Sequence, residues 1–237
     1  MLLVLFAAML LSFSTGPDQD PEKQVIVTIS GPDLKGGIIS EITWDSGAVM
    51  IQGVFAKPGG ELAAHYFVVP ANGITLEKRE AQTDESLRYW KSKASRVSPT
   101  GLGRITSKTD SKMPQFGIGS LERRLKDANE MGGVQTRSLL MLGSLTILER
   151  EGPEPYDGET WSWSPAELNR IAYVDAKGDL WVATADGRHA RRLLKGDFTL
   201  PAWSDDGRVI AVAERKQEGQ SWQISVIHLP EELRQPR

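Results

Sequence analysis

The sequence predicts an all-β fold, a small β-propeller of about four four-stranded blades, and three observations carry that expectation. First, a Trp or Val, a Ser or Asp turn and then a strand recur four times: "ITWDSGAVMIQGV" from Ile42, "SRVSPTGLGRITSK" from Ser95, "ETWSWSPAELNRIAYV" from Glu159 and "TLPAWSDDGRVIAV" from Thr199. Second, a further half-unit follows each copy, and in two of them alternating strands meet at Asn72-Gly73 or Asp186-Gly187. Such dipeptides mark tight hairpins, because both turn residues must tolerate positive φ. Third, "QVIVTIS" from Gln24 is a spare strand ahead of the first unit, while the last unit is one strand short.

In chain order, "MLLVLFAAMLLSFSTG" opens with an apolar run from Leu2 to Leu11. That run has the length of a signal-peptide core and is too short to span a bilayer. Residues 1–14 are therefore expected to be a signal peptide, cleaved before Thr15, and 15–23 a polar linker. No Cys stands near that point to carry a lipid anchor. The propeller is expected over 24–230. Its β-branched residues 25–29 pair with 222–229 as the outer strand of the last blade, which joins the two ends of the ring. An open arc that closes by dimerising is the alternative.

Within the units, Trp44, Trp163 and Trp203 are expected to fill the wedges between blades, with Val97 in the corresponding place of the second unit. Ser98-Pro99, Ser164-Pro165, Ser204 and Asp206-Gly207 are expected to turn the chain from each innermost strand into the next. Phe67 corresponds to Trp181, and Asn72-Gly73 to Asp186-Gly187. In "SLERRLKDANEMGG" from Ser120, an N-cap serine, Leu121, Leu125 and Ala128 at helical spacing, and a Glu122–Lys126 pair predict a helix over 120–131 inserted in the second blade. It presents Arg123, Arg124 and Lys126 as candidate partner-binding residues. "RHARRLLK" from Arg188 falls on an outer strand, where alternating charge faces solvent and blunts the edge, or meets an acidic partner. A charged tail is expected over 231–237.

"PAWSDDGRVIAV" from Pro201 and "WSWSPAELNRIAYV" from Trp161 resemble the TolB-like β-propeller repeat, a WD-repeat-like unit of the form Pro-x-Trp-Ser-Pro-Asp-Gly followed by Ile-Ala-Phe. The resemblance covers the last seventy-odd residues well, and fewer of the earlier ones. It implies a periplasmic or secreted propeller that holds a protein or peptide partner. The motif carries no catalytic residues.

Chemistry is sparse elsewhere. The 237 residues contain no Cys, which excludes disulfides, thiolate catalysis and Cys-ligated zinc. With 28 Lys and Arg against 31 Asp and Glu, the net charge of -3 gives no overall attraction to nucleic acid. There is no Gly-x-Ser-x-Gly elbow, and His65, His189 and His228 lack metal-ligand spacing. Asp175, Asp179 and Asp205-Asp206 read as turn residues, since the alternating ligands of a calcium loop are missing. No catalytic, cofactor or metal residue is assigned, and no cofactor is expected. The expected function is a non-enzymatic interaction scaffold, monomeric or dimeric, with no membrane span in the mature chain. The alternatives are a lid or regulatory propeller of a larger hydrolase, and a metal-dependent propeller hydrolase or lactonase.

Overall fold

The computed structural model describes residues 21–30, 37–45, 47–60, 62–70, 77–80, 94–112, 135–152, 158–216 and 221–235. The expected signal segment 1–14, most of the linker, the Asn72-Gly73 turn and the helix expected over 120–131 lie outside them. The described chain is all-β, arranged as four antiparallel sheets of three or four strands.

After β1 (Lys23–Ser30), the first sheet holds β2 (Ile38–Asp45), β3 (Ala48–Ala56), β4 (Leu62–Pro70) and β5 (Glu77–Glu80) in sequence order. The second holds β6 (Ile105–Lys112), β7 (Gln135–Leu142) and β8 (Leu145–Glu151). The third holds β9 (Trp161–Trp163), β10 (Arg170–Val174), β11 (Leu180–Thr184) and β12 (Arg191–Leu194). The fourth combines β13 (Phe198–Trp203), β14 (Val209–Arg215) and β15 (Ser221–His228) with β1, in the order β1-β15-β14-β13.

The strand sequences follow from burial. All five residues of β10, "RIAYV", are buried, and so are Ile210 to Ala213 of β14. Continuous apolar runs of this kind suit strands covered on both faces. In β13 the chain reaches Pro201, which has no N–H to give to a ladder, and the register with β14 shifts between Thr199 and Ala202. Leu200 accommodates the shift at φ 54.

The two ends of the described chain lie side by side. β1 runs antiparallel to β15 from Lys23 opposite Ile227 to Ser30 opposite Ser221, with a bulge between Val25 and Val27. The Lys23 ammonium meets the Glu214 carboxylate at 2.7 Å, and His228 N–H donates to Glu22 O at 2.9 Å. The spare strand near the N-terminus thus supplies the outer strand that the last unit lacks.

Sheet-to-sheet contacts run in a row. β2 packs on β13 and β14, β13 on β9 and β10, and β10 on β8, which links the first sheet to the fourth, the fourth to the third and the third to the second. Three apolar clusters fill these contacts. One joins Trp44, Ile51 and Phe67 to Ala202, Ala211 and Ile224, a second joins Trp203 and Ile210 to Ala172 and Val182, and the third joins Trp163 and Ile171 to Leu140 and Ile147.

One sequence expectation is corrected. The innermost strand of the second sheet is reduced to the isolated bridge Val97–Arg104, leaving three full strands where four were expected. Ser98-Pro99 turns the chain directly after Val97, and Gly101 N–H closes that turn on Ser98 O at 2.9 Å. The charged tail expected after Pro230 begins with a short helix, α1 (Glu231–Arg234). Leu233 enters the cluster between the third and fourth sheets, Arg191 pairs with Glu232 at 2.6 Å, and the buried Arg170 donates to Glu232 O at 3.3 Å.

Candidate interaction site

The repeated residues build the frame from which any site must hang. Trp44, Trp163 and Trp203 are almost completely buried, each inside the cluster that joins its own sheet to the next one in that row. Their indole N–H groups need acceptors in that setting. Trp44 Nε1 donates across the contact to Ala202 O at 2.9 Å, and Trp163 Nε1 to Ser95 O at 2.6 Å. The sequence reading singled out Trp163 and passed over Trp161, which is equally buried and reaches the same Ser95 O at 3.4 Å. Alternation in "WSW" was the available signal, since it places both rings on one face.

The serines close the turns. Ser98 Oγ accepts from Gly103 N–H at 2.9 Å, Ser164 Oγ from Arg170 N–H at 2.9 Å, and Ser204 Oγ from Val209 N–H at 3.1 Å. In each case the serine N–H also donates to the same residue's carbonyl, so the hydroxyl completes one more rung of the ladder. Pro99 and Pro165 follow the first two serines and preset φ for the turn; Leu168 N–H donates to Pro165 O at 3.1 Å.

Asp186 and Asp206 perform one task at two places. Asp206 Oδ1 accepts from Ser204 Oγ at 2.6 Å and Arg208 N–H at 3.0 Å, while Asp186 Oδ1 accepts from Thr184 Oγ1 at 2.5 Å and Arg188 N–H at 3.0 Å. The Thr184 hydroxyl is the main cause holding the Asp186 carboxyl below its usual range. At Asp206 burial opposes the charge, yet the bonds from Ser204 and Arg208 still bring the carboxyl down. Gly187 and Gly207 follow at φ 79 and φ 68, where a side chain would be strained. A Cβ on Gly207 would also collide with Leu168 of the third sheet, so this turn nests against its neighbour.

Two sheet faces differ from this pattern. On the first sheet, the face turned away from Trp44 carries Glu41 and Thr43, and Ser40 Oγ donates to Gln52 Oε1 at 2.8 Å while Gln52 Nε2 donates to Tyr66 OH at 2.7 Å. Burial pushes the Glu41 carboxyl up to about 7, and no described side chain pairs with it. Sequence reasoning missed Glu41 because nothing in "IISEITWD" marks the acid as buried.

On the second sheet, Val97 stands opposite Arg104, whereas the tryptophans stand opposite Val49, Ile171 and Ile210. Val97 is 36% exposed, against 0% for Trp203. Arg104, Thr106 and Lys108 follow at alternate positions and are exposed, with half-buried Met141 and Leu139 opposite the last two in register. The sequence had placed Val97 at the tryptophan position; the exposed cations beside it went unnoticed.

The candidate partner-binding residues Arg123, Arg124 and Lys126 lie outside the described residues. The Asp175 carboxylate accepts from Lys177 N–H, Asp179 N–H and Trp181 Nε1 at 2.9, 3.0 and 3.0 Å, as an Asx turn does. Among the described residues, no group of three or more His, Asp or Glu could hold a metal ion, and no helix is long and apolar enough to cross a membrane. No protein-family model matches the chain, and no curated relative matches it.

Proposed function

We propose that this protein is an exported, TolB-like four-bladed β-propeller that serves as a non-enzymatic scaffold for a protein or peptide partner. The observation that carries the proposal is the recurrence of a buried tryptophan ahead of a turn at three successive sheet contacts, followed by serine at two of them, together with the pairing of the chain's two ends. In a propeller the first sheet would also face the second, and that contact would complete the ring. Ser98, Ser164, Ser204, Asp186 and Asp206 direct their oxygens to neighbouring backbone and hydroxyl groups, so they stiffen the frame. Loops held on such a frame lose little entropy on binding.

Export follows from the apolar N-terminal run, and the partner surface includes the 120–131 segment with Arg123, Arg124 and Lys126. The test is photo-crosslinking in a bacterial host, with a photoreactive residue placed in turn at Arg123, Arg124 and Lys126 and, as a control, at Arg208. Identification of a single protein crosslinked from the segment and not from Arg208, on a chain that begins near Thr15, is the expected result. A chain retaining Met1 in the cytoplasm contradicts the export reading, and absence of any position-specific crosslink contradicts the scaffold reading.

A further inference from the structure

We propose that the groove in which residues 231–234 lie, at the turn end of the contact between the third and fourth sheets, is a peptide-binding site that the chain's own segment fills, and that its outside ligand is an acidic peptide with a leucine directly after a glutamate. This inference rests on the scaffold reading and gives the partner a chemistry, at a surface apart from the 120–131 segment.

Arg170 is 1% exposed at the first position of β10, where the fourth sheet has Val209; Ser164 and Ser204 accept from these two N–H groups in the same way. A guanidinium costs far more to bury than an isopropyl group and needs acceptors in place. One acceptor is Glu232 O, at 3.3 Å. Arg191 shares that face, because it stands opposite Val182, which like Ala172 packs toward the fourth sheet. It holds the Glu232 carboxylate at 2.6 Å. Leu233 is 5% exposed and completes the apolar cluster that contains Leu168, Leu193 and Leu229. The groove thus reads three features of one helical turn: a main-chain carbonyl, a carboxylate and a leucine.

The resident segment is held by little else. Pro230 has no N–H to continue the ladder, and among the described residues no backbone-to-backbone bond ties 230–235 to a strand. Leu233 N–H and Arg234 Nε donate locally, to Pro230 O and Leu229 O. Both side chains of the Arg191–Glu232 pair are well exposed, at 42% and 53%, which makes that pair weak. Emptying the groove would cost Arg170 an acceptor and the cluster a leucine, so the groove favours an occupant. Exchange for a peptide of the same chemistry restores both. A tethered segment has an effective concentration on the order of millimolar, so it excludes outside peptides until it is drawn away.

The experiment uses the full chain carrying Leu233→Asp, which sets a charge against the apolar cluster and so releases the segment, and a fluorescein-labelled peptide Leu-Pro-Glu-Glu-Leu-Arg-Gln, the sequence of residues 229–235. Release is read as faster tryptic cleavage after Arg234. Fluorescence anisotropy should show saturable binding of the peptide to the variant, and binding weaker by about tenfold or more to the wild type. A peptide with alanine for its second leucine should bind the variant about tenfold or more weaker, and one with lysine for its second glutamate about threefold or more weaker. Adding Arg191→Glu should reverse the preference between the glutamate and lysine peptides, which a segment that merely caps two sheets would not produce. Unchanged cleavage at Arg234, no binding to the released variant, equal binding to the wild type, or indifference to the peptide's second leucine overturns the proposal. So does exchange of the segment between wild-type chains into dimers, seen by light scattering, because a second copy would then be the occupant. If Leu233→Asp fails to melt cooperatively, the milder Leu233→Ala replaces it and is read the same way. A partner crosslinked from the 120–131 segment alongside a negative peptide result would defeat this inference and leave the scaffold reading standing.

Discussion

The fourth and second sheets are built from the same repeat, yet they are held in different ways. The fourth is covered on both faces: Trp203, Ile210 and Val212 pack toward the third sheet, Ala202, Ala211 and Ile224 toward the first, and β1 lies along its outer strand. The second has one buried face, where Leu140, Leu142 and Ile147 meet Trp163, and one on which Val97, Arg104 and Lys108 are exposed. The difference teaches that the serine turn and the tryptophan are separate devices. Ser98 accepts from Gly103 N–H as Ser204 does from Val209 N–H, but among the described residues no apolar cluster includes Val97.

The largest expected effect is at the fourth sheet. Trp203→Ala should lower stability by about 3–5 kcal/mol, because it empties a large volume at a contact between two sheets. Urea titration followed by far-UV circular dichroism checks it. A cost no larger than that of a surface change such as Arg191→Ala would break the comparison.

Next in size is a pH effect at the first sheet. Burial raises the Glu41 carboxyl to about 7 in the folded protein, from an ordinary 4.5. Its stabilising contribution is therefore fully present below pH 4.5 and is lost as pH rises through 7, since the folded state must then bury a charge. The shift sets a ceiling of about 3 kcal/mol; solvent that still reaches the carboxyl brings the expected loss nearer to about 1–2 kcal/mol. Thermal melts at pH 5 and pH 8 should differ by this amount in the wild type and by less in Glu41→Gln. An identical pH difference in the two proteins would show that the titrating group lies elsewhere.

Ser204→Ala should cost about 1–2 kcal/mol, because the Val209 N–H loses an acceptor and the Asp206 carboxylate loses a donor. Ser98→Ala removes the matching bond to Gly103 and should cost a similar amount, which sharpens the point that the turn is common to both sheets. The smallest effect belongs to Val97→Ala, expected to stay below about 1 kcal/mol because the side chain is already partly in solvent. A loss approaching that of Trp203→Ala would mean that Val97 joins two sheets after all.

Much of this frame was legible in the sequence because it depends on local chemistry. The strand after Ser204, the Asp186-Gly187 turn and the spare strand ahead of the first unit all announce themselves through alternation, β-branching and turn residues. The pairing of β1 with β15 followed from counting strands, whereas its register and the bulge between Val25 and Val27 did not. What stayed hidden depends on tertiary surroundings. Glu41 looks like any strand carboxylate until its burial is known, and Arg104 aligns in sequence with the arginine in "GRVIAV" although the structure sets it opposite Val97, as Ile210 is set opposite Trp203. Residues 231–234 read as a charged tail because one leucine among polar neighbours gives no periodic signal; Leu233 is buried by a sheet contact formed far away in sequence.

The account depends most on the fourth sheet uniting the two ends of one chain. With no native cysteine, Thr28→Cys and Gln223→Cys can be introduced at a directly paired position where neither side chain is fully buried. Mild oxidation of dilute protein, followed by non-reducing electrophoresis and a thermal melt, reads the pairing. The account predicts an intramolecular disulfide formed in the monomer, with a higher melting temperature than the reduced form. Disulfide-linked dimers with no monomeric crosslink would contradict it, because the two ends would then meet only between chains.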